Sequence, residues 1–289
     1  MGPAASDQSR IRRAIITALA SDDLLFDILV LKGGNALAIA HGIGDRATLD
    51  LDYAVLDSSV TPEAIAATMK RVLGSQLQSE GLVVFDLKLV RRIPKEGEPV
   101  AGCRIDLKVV SLKQWLDHDG PEGRDALRRS AMIVGPENSR TIDIELSYSE
   151  AVPNIDVVTI DAVETKVYAP LLIVIEKLRA LCQQLPEYPR RAHKTPRSRD
   201  YYDICAVLDA QPDIDLASDD ALAVFGGVFA AKAVPLALIG RLGDPDVRNF
   251  HGQNWPEVVA AVAGRAGPLN DYIERVMVQV ARVASKAAG

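Results

Sequence analysis

The chain has 289 residues, enough for one large domain or two modest ones, and its 48% hydrophobic and 25% charged residues are an ordinary globular balance. A net charge of −6 excludes wholesale electrostatic binding to nucleic acid but leaves room for a local basic patch. No apolar run approaches the roughly 18 residues of a membrane span. The start MGPAASDQSRIRR lacks a signal peptide's apolar core, and Cys103, Cys182 and Cys205 spell neither a zinc pattern nor a disulfide framework, so a reducing cytoplasm is expected.

Residues 7–30 read as a helix entering a strand, with Ile11, Ile15 and Leu19 at roughly helical spacing. FDILVLKGG is a short apolar run ending in a glycine turn, and NALAIAHGIG a short helix stopped by glycine. TLDLDYAV alternates as a strand does. TPEAIAATMKRVLGSQL is a helix with Thr61 as N-cap and Pro62 in its first position. LVVFDLKLVRRI, CRIDLKVVSL and RTIDIELSYS read as strands, with IPKEGEPVAG as a hairpin loop between the first two. From about Lys166 the pattern turns helical to the end. The fold class is therefore α+β: a mixed sheet with flanking helices over residues 1–165, then an α-helical half over 166–289.

The alternation in TLDLDYAV puts Leu49, Leu51, Tyr53 and Val55 on one face and Asp50 and Asp52 on the other, roughly 7 Å apart at ~3.3 Å per residue. Two carboxylates so close repel unless a cation separates them, and Mg²⁺ takes one or two carboxylates together with substrate phosphates. Upstream, Gly33 and Gly34 precede a helix, and a glycine pair lets backbone approach a phosphate. A phosphate cradle beside metal carboxylates is the equipment of phosphoryl or nucleotidyl transfer.

KGGNAL followed by RATLDLDY resembles the signature of the polymerase-β-like nucleotidyltransferases. More narrowly it resembles the AbiEii/AbiGii toxins of type IV toxin–antitoxin systems, MenT-like proteins included. The resemblance implies a nucleotidyltransferase sheet and adds Lys32, before the glycines, and Arg46, ahead of the acidic strand, to the nucleotide-binding residues. Asn35 stands where the generic motif has serine or threonine.

In YAPLLIVIEKLRAL, Leu171, Val174, Ile175, Leu178 and Leu181 form a core stripe flanked by Lys177, whose stem can be covered while its head reaches a cleft. In RDYYDICAVL, Asp200 and Asp203 share a helical face. EKLRAL followed by RDYYDI resembles the family's EKLxAL…RDxYDL element, which implies that Lys177 and Asp200 are catalytic with Asp203 as a neighbouring candidate. A third metal carboxylate is expected on a strand beside Asp50 and Asp52. Asp143 is preferred for its IDI setting, with Glu145 and Asp106 as the other candidates.

Between these helices, PEYPRRAHKTPRSRD gathers Arg190, Arg191, Lys194, Arg197 and Arg199, the one concentrated basic stretch. It is the expected hold on a phosphate backbone. The function implied by the resemblance is a Mg²⁺-dependent toxin that moves NMP from an NTP to RNA, most naturally the 3′ end of tRNA. The effect would be blocked translation, with a cognate antitoxin as partner. A small-molecule or protein hydroxyl acceptor, and a non-catalytic nucleotide- or RNA-binding module, are the alternatives.

Overall fold

The computed structural model describes residues 3–44, 50–91, 102–118, 122–134, 138–148, 150–262 and 265–287. In chain order the elements are α1 (Pro3–Ala20), α2 (Asp23–Ile28), β1 (Leu29–Lys32) and the single turn α3 (Gly33–Asn35), which continues as a π-turn over Ala36–Ala40. Then come β2 (Leu51–Val55), α4 (Pro62–Ser79), β3 (Leu82–Arg91), β4 (Gly102–Ser111), α5 (Leu112–Asp117), α6 (Arg124–Ser130) and β5 (Ile142–Ser147). After β6 (Ile155–Ile160) and β7 (Val163–Tyr168) the chain is helical: α7 (Pro170–Cys182), α8 (Ser198–Ala210), α9 (Asp219–Ala231), a 3₁₀ segment (Leu236–Arg241), α10 (Pro245–Gly252), α11 (Trp255–Ala261) and α12 (Leu269–Ala287).

The chain separates into two compact units. The first holds Met1–Asn35, Thr48–Ser149 and Asp156–Val167, and the second Ala36–Ala47, Glu150–Ile155 and Tyr168–Gly289. Two short early stretches thus group with the second unit, which a single boundary at residue 165 does not anticipate.

A mixed seven-stranded sheet, in the order β3-β4-β5-β2-β1-β7-β6, dominates the first unit, and the α+β reading holds. β3 pairs β4, β4 pairs β5 and β1 pairs β2 antiparallel, while β5 pairs β2 and β1 pairs β7 in parallel. One face is apolar: Ile105, Leu107 and Val109 of β4, Ile142, Ile144 and Leu146 of β5, and Leu51, Tyr53 and Val55 of β2 are all buried. α4 packs on β3 and α1 on α4, bringing Ile65, Met69 and Leu73 together with Ile11, Ile15 and Leu19 into the core. Thr61 caps α4 as expected, its hydroxyl accepting the Ala64 N–H at 3.3 Å with Pro62 in the first turn. The opposite face carries polar residues on β2, β4 and β5, and at its β3–β4 end Phe85, Val110, Leu127 and Ala131 form a small second core.

In the second unit, α7 packs against α8 and α9, and α12 against α8. Leu172, Val174, Ile175, Leu178 and Leu181 are buried there together with Tyr201, Ile204, Phe225 and Phe229. Among the described residues no helix is long and apolar enough to cross a membrane.

Three sequence readings need correction. Lys166 belongs to strand β7, not to a helix, and β6–β7 form an unanticipated hairpin at the sheet edge. Its turn residues, Asp161 and Ala162, both have positive φ (47° and 67°). That is the geometry of a tight I′-type turn, but it lacks the glycine that usually announces one. Helices α5 and α6 were also not foreseen, being too short to show a period. The stretch expected to link β3 and β4 as a hairpin loop lies outside the described residues.

Candidate active site

The glycine pair and the acidic strand are neighbours in space. β1 runs antiparallel to β2 with Lys32 opposite Asp52, so the chain leaves β1 at Gly33 directly beside that carboxylate. Gly33 has φ 69°, and a Cβ placed on it would stand 2.6 Å from Asp52 Oδ2. Only glycine satisfies both conditions, the left-handed backbone and the missing side chain. Gly34 and Asn35 complete the α3 turn. The Asn35 side-chain amide donates to the Asp50 backbone carbonyl at 2.6 Å, holding the residue before β2 in place. Asn35 thereby has a structural task in the position where the generic motif carries a hydroxyl.

Asp50 differs from its expected placement. It precedes β2 rather than lying on it and is exposed, whereas Asp52 is on the strand and half-buried. Paired positions on adjacent strands share a face. Glu145 is opposite Asp52, Asp143 opposite Asp106, and Arg104 opposite Glu145, so one polar strip carries Lys32, Asp52, Glu145, Asp143, Arg104 and Asp106. Within it Arg104 grips Asp106 through two hydrogen bonds, at 2.6 and 3.1 Å, while its distance to Asp143 is 3.9 Å. Burial pushes the Asp143 carboxyl up from the ordinary carboxylate range. Arg104 opposes this, and the charges of Asp106 and Asp50 push it further up. Asp143 therefore feels Asp50 electrostatically and is less neutralised than Asp106, which favours it as the third carboxylate. Arg104, paired with Asp106 and 3.9 Å from Asp143, sets the charge balance of this strip.

Asp50, Asp52 and Asp143 are hard oxygen donors that fit a divalent cation such as Mg²⁺. Among the described residues no group of three or more His, Cys, Asp or Glu side chains forms a ready-made metal cage. Arg46 lies outside the described residues.

Replacing Gly33 with alanine is expected to cost roughly 1–2 kcal/mol for the left-handed backbone alone. It should also displace the Asp52 carboxylate and lower transfer at least about tenfold. Denaturant unfolding and an initial-rate assay on Gly33→Ala measure the two effects separately.

In the second unit Lys177 and Asp200 meet. Lys177 is buried on α7, its ammonium donating to Asp203 Oδ2 at 2.7 Å and Asp200 Oδ1 at 3.2 Å. Asp200, wholly buried at the start of α8, also takes a 2.5 Å hydrogen bond from Arg197 Nε. Burial alone would push the Asp200 carboxyl up, but Arg197, Lys177 and Arg199 outweigh it and hold it well below the usual range. Lys177 is thus the centre of a buried charge network rather than a snorkelling cation, and Asp203 is one of its two carboxylate partners.

His251 braces the same helix start. Its Nδ1 accepts the Arg197 backbone N–H at 2.9 Å, so the ring is neutral with its proton on Nε2, which meets no partner among the described residues. Burial pulls its pKa down to about 4 from 6.5, Asp200 opposing and Arg197 reinforcing the shift. A folded-state pKa below the unfolded one means that stability present above pH ~6.5 is lost as pH falls toward ~4, by up to about 3 kcal/mol. Urea unfolding at pH 7, 5.5 and 4 should show this slope. His251→Asn, which keeps an acceptor without the titrating ring, should flatten it.

The basic stretch is less available than its sequence suggests. Lys194 Nζ donates to the carbonyls of Tyr188 at 2.5 Å and Gln183 at 3.1 Å, and Arg197 is engaged with Asp200. Arg191 Nε donates to the His193 carbonyl, leaving Arg190 and Arg199 as the exposed guanidinium groups of the segment.

The model of the family described as nucleotidyl transferase AbiEii toxin, type IV TA system, matches residues 14–274. The chain belongs to this family. As an AbiEii protein it is a nucleotidyltransferase of the toxin–antitoxin class, and the match spans both units described above. Two solved structures share the AbiEii chain's fold. JHP933 from Helicobacter pylori has a TM-score of 0.55 and 16% identity, the match covering 100% of this chain and 95% of that one. MenT4, a nucleotidyltransferase toxin from Mycobacterium tuberculosis, has a TM-score of 0.50 and 14% identity over 99% of this chain and 87% of its own. No curated protein matches the sequence.

Proposed function

We propose that this AbiEii nucleotidyltransferase moves a nucleoside monophosphate from an NTP to an RNA 3′ hydroxyl, most naturally that of tRNA. It does so with Mg²⁺, blocks translation in the cytoplasm, and is restrained by a cognate antitoxin. The observation that carries the transfer reading is the contact of Gly33 with the Asp52 carboxylate, which makes the glycine turn and the acidic strand one structure.

In this reading residues 1–165 carry the nucleotide and metal residues. Gly33, Gly34 and Lys32 take the triphosphate, with Arg46 assigned there by family likeness. Asp50, Asp52 and Asp143 hold the divalent ion. A bound Mg²⁺ supplies charge neutralisation at the phosphoryl oxygens and lowers the pKa of the attacking hydroxyl. Within residues 166–289, Lys177, held by Asp200 and Asp203, is the group that family likeness assigns to the reaction. Arg190 remains the proposed RNA contact of the basic stretch, while Arg191, Lys194 and Arg197 are withdrawn because their charged ends are engaged within the fold.

Incubation with each labelled NTP and total RNA, total protein or a panel of small hydroxyl compounds tests this reading, with and without EDTA. Label entering RNA only, and only with divalent metal, is the expected result. Label in protein or small molecules would move the acceptor to that class, and label nowhere would overturn transfer itself.

A further inference from the structure

At the outer edge of the sheet, β3 slips its register with β4 between Phe85 and Lys88, and Asp86 takes a positive φ of 51°. A cavity of about 680 Å³ opens around this bulge, lined from β3, β4, α4, α5 and α6. Among its described lining residues are five cations, Lys70, Lys88, Lys108, Arg124 and Arg128, against two carboxylates, Asp86 and Asp106.

Both carboxylates are already answered. Arg128 holds Asp86 at 2.5 and 3.3 Å with Arg124 at 3.5 Å, and Arg104 holds Asp106. Lys70 and Lys88 are exposed and have no ion-pair partner among the described residues, and Lys108 donates only to the neutral Thr141 hydroxyl at 3.0 Å. In a chain of net charge −6 this is a local positive surplus. Trp115 also lines the cavity, half-buried and tilted against Phe85 at 6.0 Å between ring centroids, so part of the indole remains open.

The cavity and the acidic strip lie on one surface. Asp106 is opposite Lys88 on one side and Asp143 on the other, so the strip from Asp52 through Asp143 continues to Lys88. β3 is three strands from β2, about 14 Å at ~4.8 Å per strand. A polymer whose reacting end sits at Asp52 and whose chain runs outward along this face brings a neighbouring phosphate to the lysines. Lysines along a groove with an open aromatic ring are the means of holding an unpaired strand, whose bases are free to stack.

We propose that this cavity binds single-stranded RNA a few nucleotides before the acceptor end, with phosphates on Lys70, Lys88 and Lys108 and a base against Trp115. The inference rests on the RNA acceptor proposed above.

The test is fluorescence anisotropy of a fluorescein-labelled single-stranded RNA oligonucleotide with the full-length protein across a salt series, for the parent and for Lys70→Glu/Lys88→Glu. Both positions are exposed, so the variant should fold. Its affinity should fall on the order of tenfold at ~0.1 M salt, its log–log salt slope should flatten by about 1.4, and NTP affinity should stay the same. In a Trp255→Phe background, RNA should quench Trp115, and inorganic polyphosphate should not.

Unchanged RNA affinity in the double variant overturns the site, as do equal losses for RNA and NTP or equal quenching by polyphosphate. A parent that transfers to RNA while the variant keeps its RNA affinity sinks this site and leaves the acceptor assignment standing. A parent that binds RNA through these lysines yet transfers nothing to it sinks the acceptor assignment and leaves the site.

Discussion

Asp52→Asn is expected to leave a folded protein that transfers nucleotide at least about a thousandfold more slowly, a loss on the order of 4 kcal/mol of transition-state stabilisation. Asparagine has the shape of aspartate, so the packing against Gly33 survives while the charge for a divalent ion is lost. The side chain is half-buried on the polar strip, away from the apolar face built by Leu51, Tyr53 and Val55, so the core is untouched. Asp50→Ala should behave alike for a separate reason. Asn35 holds the backbone carbonyl of residue 50, not its carboxylate, so the anchor persists in the alanine variant. Thermal midpoints should stay within about 3 °C of the parent, with initial rates measured at saturating NTP and metal. Metal-dependent transfer at the parent rate in either variant would remove that residue from the site.

The parts of this architecture that were legible in the sequence are those where a local pattern has one physical solution. Ile11, Ile15 and Leu19 had to lie on one helical face, and Thr61–Pro62 had to open a helix. Alternation in CRIDLKVV and RTIDIELS had to put Ile105 and Ile144 inside and Asp106 and Asp143 outside. The parts that stayed hidden depend on partners distant in sequence. Arg104 became a tuning residue only when β4 paired with β5 and set it opposite Glu145. The Asp161–Ala162 turn holds a conformation that composition does not advertise, and its hairpin was lost with it. Lys194 and Arg197 were hidden for another reason: their partners Gln183, Tyr188 and Asp200 are near in sequence, but composition does not show that the segment folds back on itself to bring them to the charged ends. At the candidate site, the residue types were visible, but the contact between Gly33 and Asp52 required the antiparallel return of β2 on β1.

Lys177→Met is expected to destabilise the protein by about 3–5 kcal/mol, because it strips one cation from two carboxylates that are themselves buried. Arg197 would remain on Asp200, but Asp203 would lose the nearest charge that answers it. The acid limb of stability should move too. Asp200 is held below its unfolded pKa, so its contribution is present above pH ~4 and lost as pH falls through and below that range. Without Lys177 that contribution shrinks. Lys177→Arg should recover little, since a planar fork does not reproduce a compact ammonium seated 2.7 and 3.2 Å from two carboxylate oxygens. Loss of transfer in Lys177→Met would not by itself distinguish chemistry from folding. The double variant Lys177→Met/Asp203→Asn does so, because it removes one positive and one negative charge together and leaves Asp200 paired with Arg197. Its stability should rise back toward the parent's in urea unfolding, while transfer stays lost if the ammonium acts on the triphosphate. Recovery of transfer along with stability would make Lys177 the internal counter-ion of α8 and nothing more.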